Sequence, residues 1–319
     1  MIPFSSHGLW HLVWEKNPPH WLSRLHRARP SVALDDPSIV ADGPDAVKCA
    51  RTARAPSLVL VAYDDVPSTY AREAYDARRV AALAHEVSLA VVVPAQNEAA
   101  TIGPVVTAIR RSDYVDELVV VDDHSSDDTA TVAAHHGARI VPSLGASGKG
   151  AAMATGLAAT SSELVVFLDA DVLSPMADFV GRLIQPLLES EDVQFVKGYY
   201  ERPLHHMPTG GGRVTELAAR PILSLLYPGL GEIRQPLAGE TAARRGALEA
   251  VDFENGYGVE IALLIDVARK FGVRALAQVD LGVRRHRNRP LEELRPMASE
   301  VLRAALERYD VELPSGEIS

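Results

Sequence analysis

From Ser88 onward, short runs of aliphatic and β-branched residues alternate with longer stretches of helical periodicity. The pairs are LAVVVPA and ATIGPVVTAIRR, ELVVVDD and DDTATVAAHHG, ARIVPS and GKGAAMATGLAAT, and then ELVVFLDADV. Strand and helix taking turns at this spacing predict βαβ units and an α/β fold with a mainly parallel sheet. The unbroken Val/Leu runs suit strands covered on both faces. Beyond Gly198 the rhythm loosens into the glycine-rich segment PTGGGRVTELAARP, with helical patterns around Leu217 to Leu226 and Val259 to Phe271. A last helix is expected from about Leu291 to Tyr309. Residues 1–80 mix prolines, Arg/His clusters and tryptophans without sustained periodicity, their clear apolar run being Leu58 to Tyr63. The chain thus divides at about 80 and 200, and the first part reads as a poorly ordered extension.

The run LVVFLDADV drives an apolar strand into Asp169 and Asp171. If the extended backbone continues, alternate side chains point the same way, so both carboxylates project beyond the strand's carboxyl end, where open α/β sheets bind ligands. Two hard oxygen ligands there suit a divalent cation that neutralises a diphosphate. Asp-x-Asp is common in surface turns, and the uncharged run ahead of it is what favours a site. Two earlier strands end in similar clusters: Pro94, Ala95, Gln96, Asn97 and Glu98, then Asp122, Asp123, His124, Ser125 and Ser126. Any one of these turns reads as a helix cap. Three in succession at one sheet edge favour a nucleotide site. Ser147, Gly148, Lys149 and Gly150 add flexible backbone and a cation at a helix start, where a phosphate can sit. That segment lacks P-loop spacing, and no Gly-x-Gly-x-x-Gly follows the first strand, which weakens a nicotinamide-dehydrogenase reading.

In the second half, Gly210, Gly211, Gly212, Arg213, Val214 and Thr215 combine exposed amides with a guanidinium that can fork onto a carboxylate or phosphate. A mobile loop is the equal alternative. VRRHRNRP gathers Arg284, Arg285, His286, Arg287, Asn288 and Arg289 after the apolar run ALAQVDLGV. So dense a basic group points to a phosphorylated ligand or to a solvated interface. His286, following a strand, is placed to complete a metal shell with Asp171. His135, His136, His205 and His206 read as surface or packing residues.

Composition narrows the class. Of 319 residues, 47% are hydrophobic and 23% charged, as in ordinary globular proteins, and the net charge of −10 argues against nonspecific binding to nucleic acid or anionic membrane. Cys49 is the single cysteine, which excludes an intramolecular disulfide and fits a reducing compartment. No stretch has the length of a membrane span, and MIPFSSHGLWHLVWEKNPPHW lacks the basic opening and apolar core of a signal peptide, so a cytoplasmic location is expected.

PAQNEAATIG, VVVDDHSSDDT, GKGAAM, VVFLDADV, GGGRVTELAARP, QPLAGE, GYGVEIALLID and VRRHRNRP occur in an order that closely resembles the glucosyl-3-phosphoglycerate synthase family, retaining GT-A type glycosyltransferases of actinobacteria. The resemblance covers about Ser88 to Leu294, and its second-half motifs are the more specific. It implies a GT-A fold with a nucleotide-sugar part (81–200) and an acceptor part (201–319). The implied reaction is transfer of glucose from UDP-glucose to the 2-hydroxyl of 3-phosphoglycerate, toward methylglucose lipopolysaccharide or glucosylglycerate synthesis. It further implies that Pro94, Ala95, Asn97, Glu98 and Asp123 serve the nucleotide, with Lys149 and Asp169 near the donor. Asp171 and His286 match its ligands for magnesium or manganese. Gly212, Arg213, Val214, Thr215 and Asn288 match its phosphoglycerate site, Glu260 its contact with glucose hydroxyls, and Arg284 and Arg289 its phosphate neighbours. A homodimer is implied as well. Thr241 stands where the resemblance leads to an aromatic, which bears on the shape of the sugar pocket. The alternatives are a mannosyl-3-phosphoglycerate synthase or GDP-sugar user of the same class, and a non-catalytic nucleotide-sugar sensor. Transfer to a polyprenyl phosphate would come with membrane-associating segments.

Overall fold

A computed structural model describes residues 65–145, 147–173, 177–201, 203–204, 207–210, 212–284 and 290–309. All belong to the second of two units, 57–319, into which the chain divides. In chain order the elements are β1 (Ser68–Tyr70), α1 (Ala77–Ala84), β2 (Leu89–Ala95), α2 (Ile102–Ile109), β3 (Glu117–Asp122), α3 (Thr129–His135) and β4 (Arg139–Pro142). Then follow α4 (Lys149–Ala158), β5 (Leu164–Phe167), α5 (Phe179–Glu189), β6 (Phe195–Glu201) and a hairpin of β7 (Pro203–Leu204) with β8 (Met207–Gly210). A π-helical turn, Thr215–Ala219, runs into α6 (Arg220–Leu226), followed by β9 (Thr241–Arg244), α7 (Arg245–Glu249), α8 (Val259–Phe271), β10 (Leu276–Val283) and α9 (Leu291–Arg308).

The described strands form an eight-stranded sheet in the order β1-β10-β6-β9-β5-β2-β3-β4, plus the separate hairpin. Its pairings are parallel except at β9, which runs antiparallel between β5 and β6. Strict alternation sorts the strand residues between two cores. Leu89, Val91 and Val93 of β2 join Leu164 and Val166 of β5 under α2 and α5. Val92, Val165 and Phe167 face the opposite side, under α4 and α8. Both faces are covered, which is why these strands read as continuous apolar runs. β2, β3, β4, β5, β6 and β10 all end at one edge of the sheet, and β9, running the other way, begins there.

The expected elements from β2 to α4 are present within a residue or two, and α8 spans the expected Val259–Phe271. The structure differs in three places. β5 stops at Phe167, so Asp169 and Asp171 lie in the turn beyond the strand and not on its extended continuation. α5 and β6 were not separated by the sequence pattern, because α5 carries an internal proline, Pro186, and β6 a buried lysine. The third difference falls in the segment read as an extension. Ser68–Tyr70 pair in parallel with Ala277–Val279, and α1 buries Val80 and Ala84. A strand of three residues and a helix burying two side chains leave too little periodicity to read. The Leu58 to Tyr63 run lies outside the described residues.

Truncation tests this boundary. A chain starting at Pro67 keeps β1 and, among the contacts of the described residues, loses the exposed Asp65–Arg274 ion pair, a kind of contact that contributes little. It is expected to melt with the full chain. A chain starting at Val87 loses the edge pairing and the burial of Val80 and Ala84, and should be destabilised by about 3 kcal/mol. Coincident urea transitions for the two truncations would sink the assignment.

Candidate active site

A cleft of about 580 Å³ opens at the edge where the parallel strands end. Pro94, Ala95, Gln96 and Glu98 line it after β2, Asp123 after β3, and Ser147, Gly148 and Lys149 at the start of α4. Asp169, Ala170 and Asp171 follow β5; Gly212, Arg213, Val214 and Thr215 also line the space, with Leu237, Gly256, Tyr257 and Glu260. Leu294, Met297, Glu300 and Val301 of α9 close one wall.

On the first side, Asp123 Oδ2 accepts from Ser147 Oγ and from the Gly148 amide, each at 2.9 Å. Burial pushes the Asp123 carboxyl up, but these hydrogen bonds outweigh it and hold the group below its ordinary range. Gln96 Nε2 donates to the Asp123 carbonyl at 2.8 Å and to Ser147 Oγ at 3.1 Å, tying two turns together. Asn97 is not among the cleft-lining residues. Its Oδ1 accepts from the Ser126 amide at 2.8 Å, and its own amide donates to Ser125 Oγ, so it braces the turn after β2 against the turn after β3. It adopts a φ of 55°, which asparagine tolerates well.

The floor is a charge network. Lys149 Nζ lies 2.7 Å from Asp169 Oδ1 and 2.5 Å from Glu260 Oε1. Arg284 Nη2 lies 3.1 Å from Asp169 Oδ2 and 2.9 Å from Asp171 Oδ1, while its Nη1 pairs with Glu240 and donates to Tyr200 Oη. Burial works against the charge on Asp169, but the two cations prevail and hold it well below the usual carboxylate range. Burial likewise opposes the Lys149 charge, and Asp169 and Glu260 drive its pKa up. Arg284 is itself enclosed, 2% exposed. It therefore does not line the cleft as a phosphate neighbour would; it holds the acidic side chains from behind. Asp171 is the carboxylate of the pair that opens to the cleft, its side chain 41% exposed against 20% for Asp169. An exposed carboxylate with one oxygen turned to a guanidinium suits a hard cation that takes the rest of its shell from phosphate oxygens, water and another side chain. His286, Asn288 and Arg289 lie outside the described residues.

The connection before β9 forms the side of the cleft next to Asp169. Leu237 lines the space, and Gly239 passes so close to the Asp169 carboxylate that a Cβ would collide with it. Beneath lies Lys197, 1% exposed, donating to the Ala238 carbonyl at 2.5 Å and to Thr241 Oγ1 at 3.3 Å. Thr241 is thus buried against Lys197 and is not among the residues that line the cleft. Burial drives the Lys197 pKa from 10.5 down to about 8, with Glu260 working the other way. Between those values the unfolded chain binds the proton more tightly, so this group's penalty on the fold is full below pH 8 and fades as pH rises toward 10.5. The stability of the parent relative to Lys197→Met should therefore rise by up to about 3 kcal/mol across that window. A pH-independent difference in urea titrations would contradict it.

Two close approaches lock the remaining wall. A Cβ on Gly150 would collide with the Glu254 carbonyl, so α4 can start only against a bare backbone. Gly150→Ala is expected to lower stability by about 1–3 kcal/mol and to displace Lys149, visible as a lower melting temperature with weakened donor binding. Glu300 of α9 accepts from the Tyr257 backbone amide at 2.7 Å, tying α9 to the turn before α8. The sequence pattern gave no role to Lys197, Leu237, Tyr257 or Glu300, and named Gln96 only as part of the polar cluster after β2. The signals available were a lysine inside the apolar run FVKGYY and the tyrosine within GYGVEI.

A glucosyl-3-phosphoglycerate synthase of Mycobacterium tuberculosis is 48% identical over 240 residues, covering 70% of this chain and 74% of the relative. The chain belongs to the glucosyl-3-phosphoglycerate synthase family. The family's member from Mycolicibacterium paratuberculosis is 47% identical over 70% of this chain and 73% of its own. The sequence model of glycosyl transferase family 2 matches residues 90–216, from β2 to the start of the π-helical turn. Among solved structures, the Mycobacterium tuberculosis synthase in complex with Mn2+, UDP-glucose and phosphoglyceric acid superposes with a TM-score of 0.72 at 44% identity, covering 79% of this chain and 89% of the other. The GT-A fold expected from the sequence is therefore the fold of this family.

Proposed function

We propose that this protein transfers glucose from UDP-glucose to the 2-hydroxyl of 3-phosphoglycerate with retention, giving glucosyl-3-phosphoglycerate. The observation that carries this is the family relationship joined to one cleft, lined by Asp169, Asp171 and Lys149 together with Gly212, Arg213 and Thr215. The nucleotide takes the side formed by Pro94, Ala95, Glu98 and Asp123. Glu260, pinned by Lys149, faces the glucose hydroxyls. Arg213, Thr215 and the backbone around Gly212 and Val214 hold the acceptor's anionic groups, with Asn288 beyond them.

Asp171 and His286 would hold Mg2+ or Mn2+ against the diphosphate. When bound, that ion supplies Lewis-acid stabilisation of charge on the UDP leaving group. Arg284 helps keep Asp169 ionised and orients both Asp169 and Asp171, because its buried guanidinium pairs with each of them. A covalent sugar intermediate needs a carboxylate at the anomeric carbon. Glu240 is fully enclosed and paired with Arg284, and Glu260, the other candidate, is largely buried and held by Lys149, which draws both away from that role. This favours front-face attack, with the acceptor hydroxyl entering on the side the diphosphate leaves and passing its proton to a phosphate oxygen. Among the described residues no helix is long and apolar enough to cross a membrane. We read the protein as a cytoplasmic homodimer.

The deciding experiment incubates the purified full chain with magnesium and 3-phosphoglycerate against UDP-glucose, GDP-glucose and GDP-mannose, following nucleotide release and the mass of the product. UDP-glucose should give the largest kcat/KM. Faster transfer from GDP-mannose would overturn the donor, and binding without turnover would make the protein a sensor.

A further inference from the structure

The sheet contains a row of buried polar side chains that the reaction as described does not use. Gln278 of β10, Lys197 of β6 and Thr241 of β9 stand at adjacent register positions, so their side chains share one face. Their exposures are 3%, 1% and 2%. All three engage the backbone segment that leads from α6 to β9 or its end. Gln278 accepts from the Arg234 amide at 3.0 Å and donates to the Glu232 carbonyl at 3.1 Å. Lys197 donates to the Ala238 carbonyl and to Thr241. The segment so held forms a strap that puts Leu237 in the cleft, Gly239 against Asp169 and Glu240 on Arg284.

A buried ammonium is a poor way to stabilise a sheet, since an apolar side chain of equal length fills the same space without the desolvation penalty. Its neighbours Phe195 and Val196 show that this strand is otherwise apolar inside. What an apolar side chain cannot do is hold a carbonyl that has no strand partner. We infer that Lys197 is a positioning residue for the sugar side of the cleft, fixing the Gln235–Glu240 strap through Ala238 so that Leu237 and Gly239 keep their places beside the donor. The inference rests on the reading of this cleft as a UDP-glucose site.

Lys197→Met tests it. The variant should fold, with a melting temperature close to or above the parent's, and bind UDP as the parent does. Its kcat for glucosyl transfer should fall by on the order of a hundredfold, the scale of a misplacement of about 1 Å at the reacting centre. Lys197→Gln, whose amide can still donate toward Ala238, should recover part of that loss. Hydrogen exchange at the strap amides should accelerate in Lys197→Met while the strands keep their protection. Parental kcat in Lys197→Met overturns the inference, as does unchanged strap exchange, or a loss of UDP affinity in step with kcat. If the parent itself does not turn over UDP-glucose with 3-phosphoglycerate, the proposed reaction falls, and strap exchange alone decides the role of Lys197.

Discussion

Asp171→Ala is expected to lower turnover by about a thousandfold while leaving the melting temperature near the parent's. Removing Lewis-acid stabilisation of a leaving group raises the barrier by several kcal/mol, and each 1.4 kcal/mol is about tenfold in rate. The fold should tolerate the change, because the Asp171 side chain is 41% exposed and Arg284 keeps Asp169 and Glu240 as partners. Asp171→Asn separates charge from shape: it should bind UDP as weakly in magnesium as the parent does in chelator. Chelation should abolish activity in the parent and change little in either variant. Undiminished turnover in chelator, or in Asp171→Ala with magnesium, would remove the cation from this position.

Arg213→Ala is expected to raise the Michaelis constant for 3-phosphoglycerate by about 10- to 100-fold, the scale of one lost charge-assisted contact. The constant for UDP-glucose should move little. Arg213 and Asp171 line the same cleft, and Arg213 comes one residue after Gly212 with its φ of 73°. Arg213→Lys should recover part of the loss, since an ammonium supplies the charge without the planar fork. Equal losses for both substrates would make the segment structural, and no loss for either would move the acceptor elsewhere.

The donor half was the readable half. β2, β3 and β5 each place their chemistry within a few residues of an apolar run, so Pro94, Ala95, Glu98, Asp123, Asp169 and Asp171 could be named from local pattern, and all line the cleft. Asn97 carried the same local signal but serves as a brace, because its side-chain oxygen is taken by Ser126. Burial direction is what local pattern cannot supply. VRRHRNRP looks uniformly basic and exposed, yet Arg284 turns inward where β10 ends, meeting three carboxylates from β5's turn and β9's start. Glu240 and Leu237 precede a strand, whereas a search for strands followed by polar clusters looks only downstream. Glu300 reaches Tyr257 across a tertiary contact between helix and turn, with no spacing to announce it. Thr241, next to Glu240, is buried in the sheet, a placement its neighbours in sequence do not announce.

The reversed central strand also bears on how this chain assembles. The flank β5-β2-β3-β4 joins segments that are near in sequence and can pair early, whereas β9 must insert beside β5 before β6 has a neighbour, and β1 waits for β10. Pairings of long sequence separation form slowly. Asp169 and Asp171 therefore leave the ribosome long before Arg284, and Glu240 joins them while that guanidinium is still absent. A chain cut short there would gather three acidic side chains with Lys149 as their nearby cation, a repulsive arrangement that resists closure. β10 brings the counter-charge and α9, next in the chain, closes one wall of the cleft, so molecules cut short before these elements should carry no stray transferase activity.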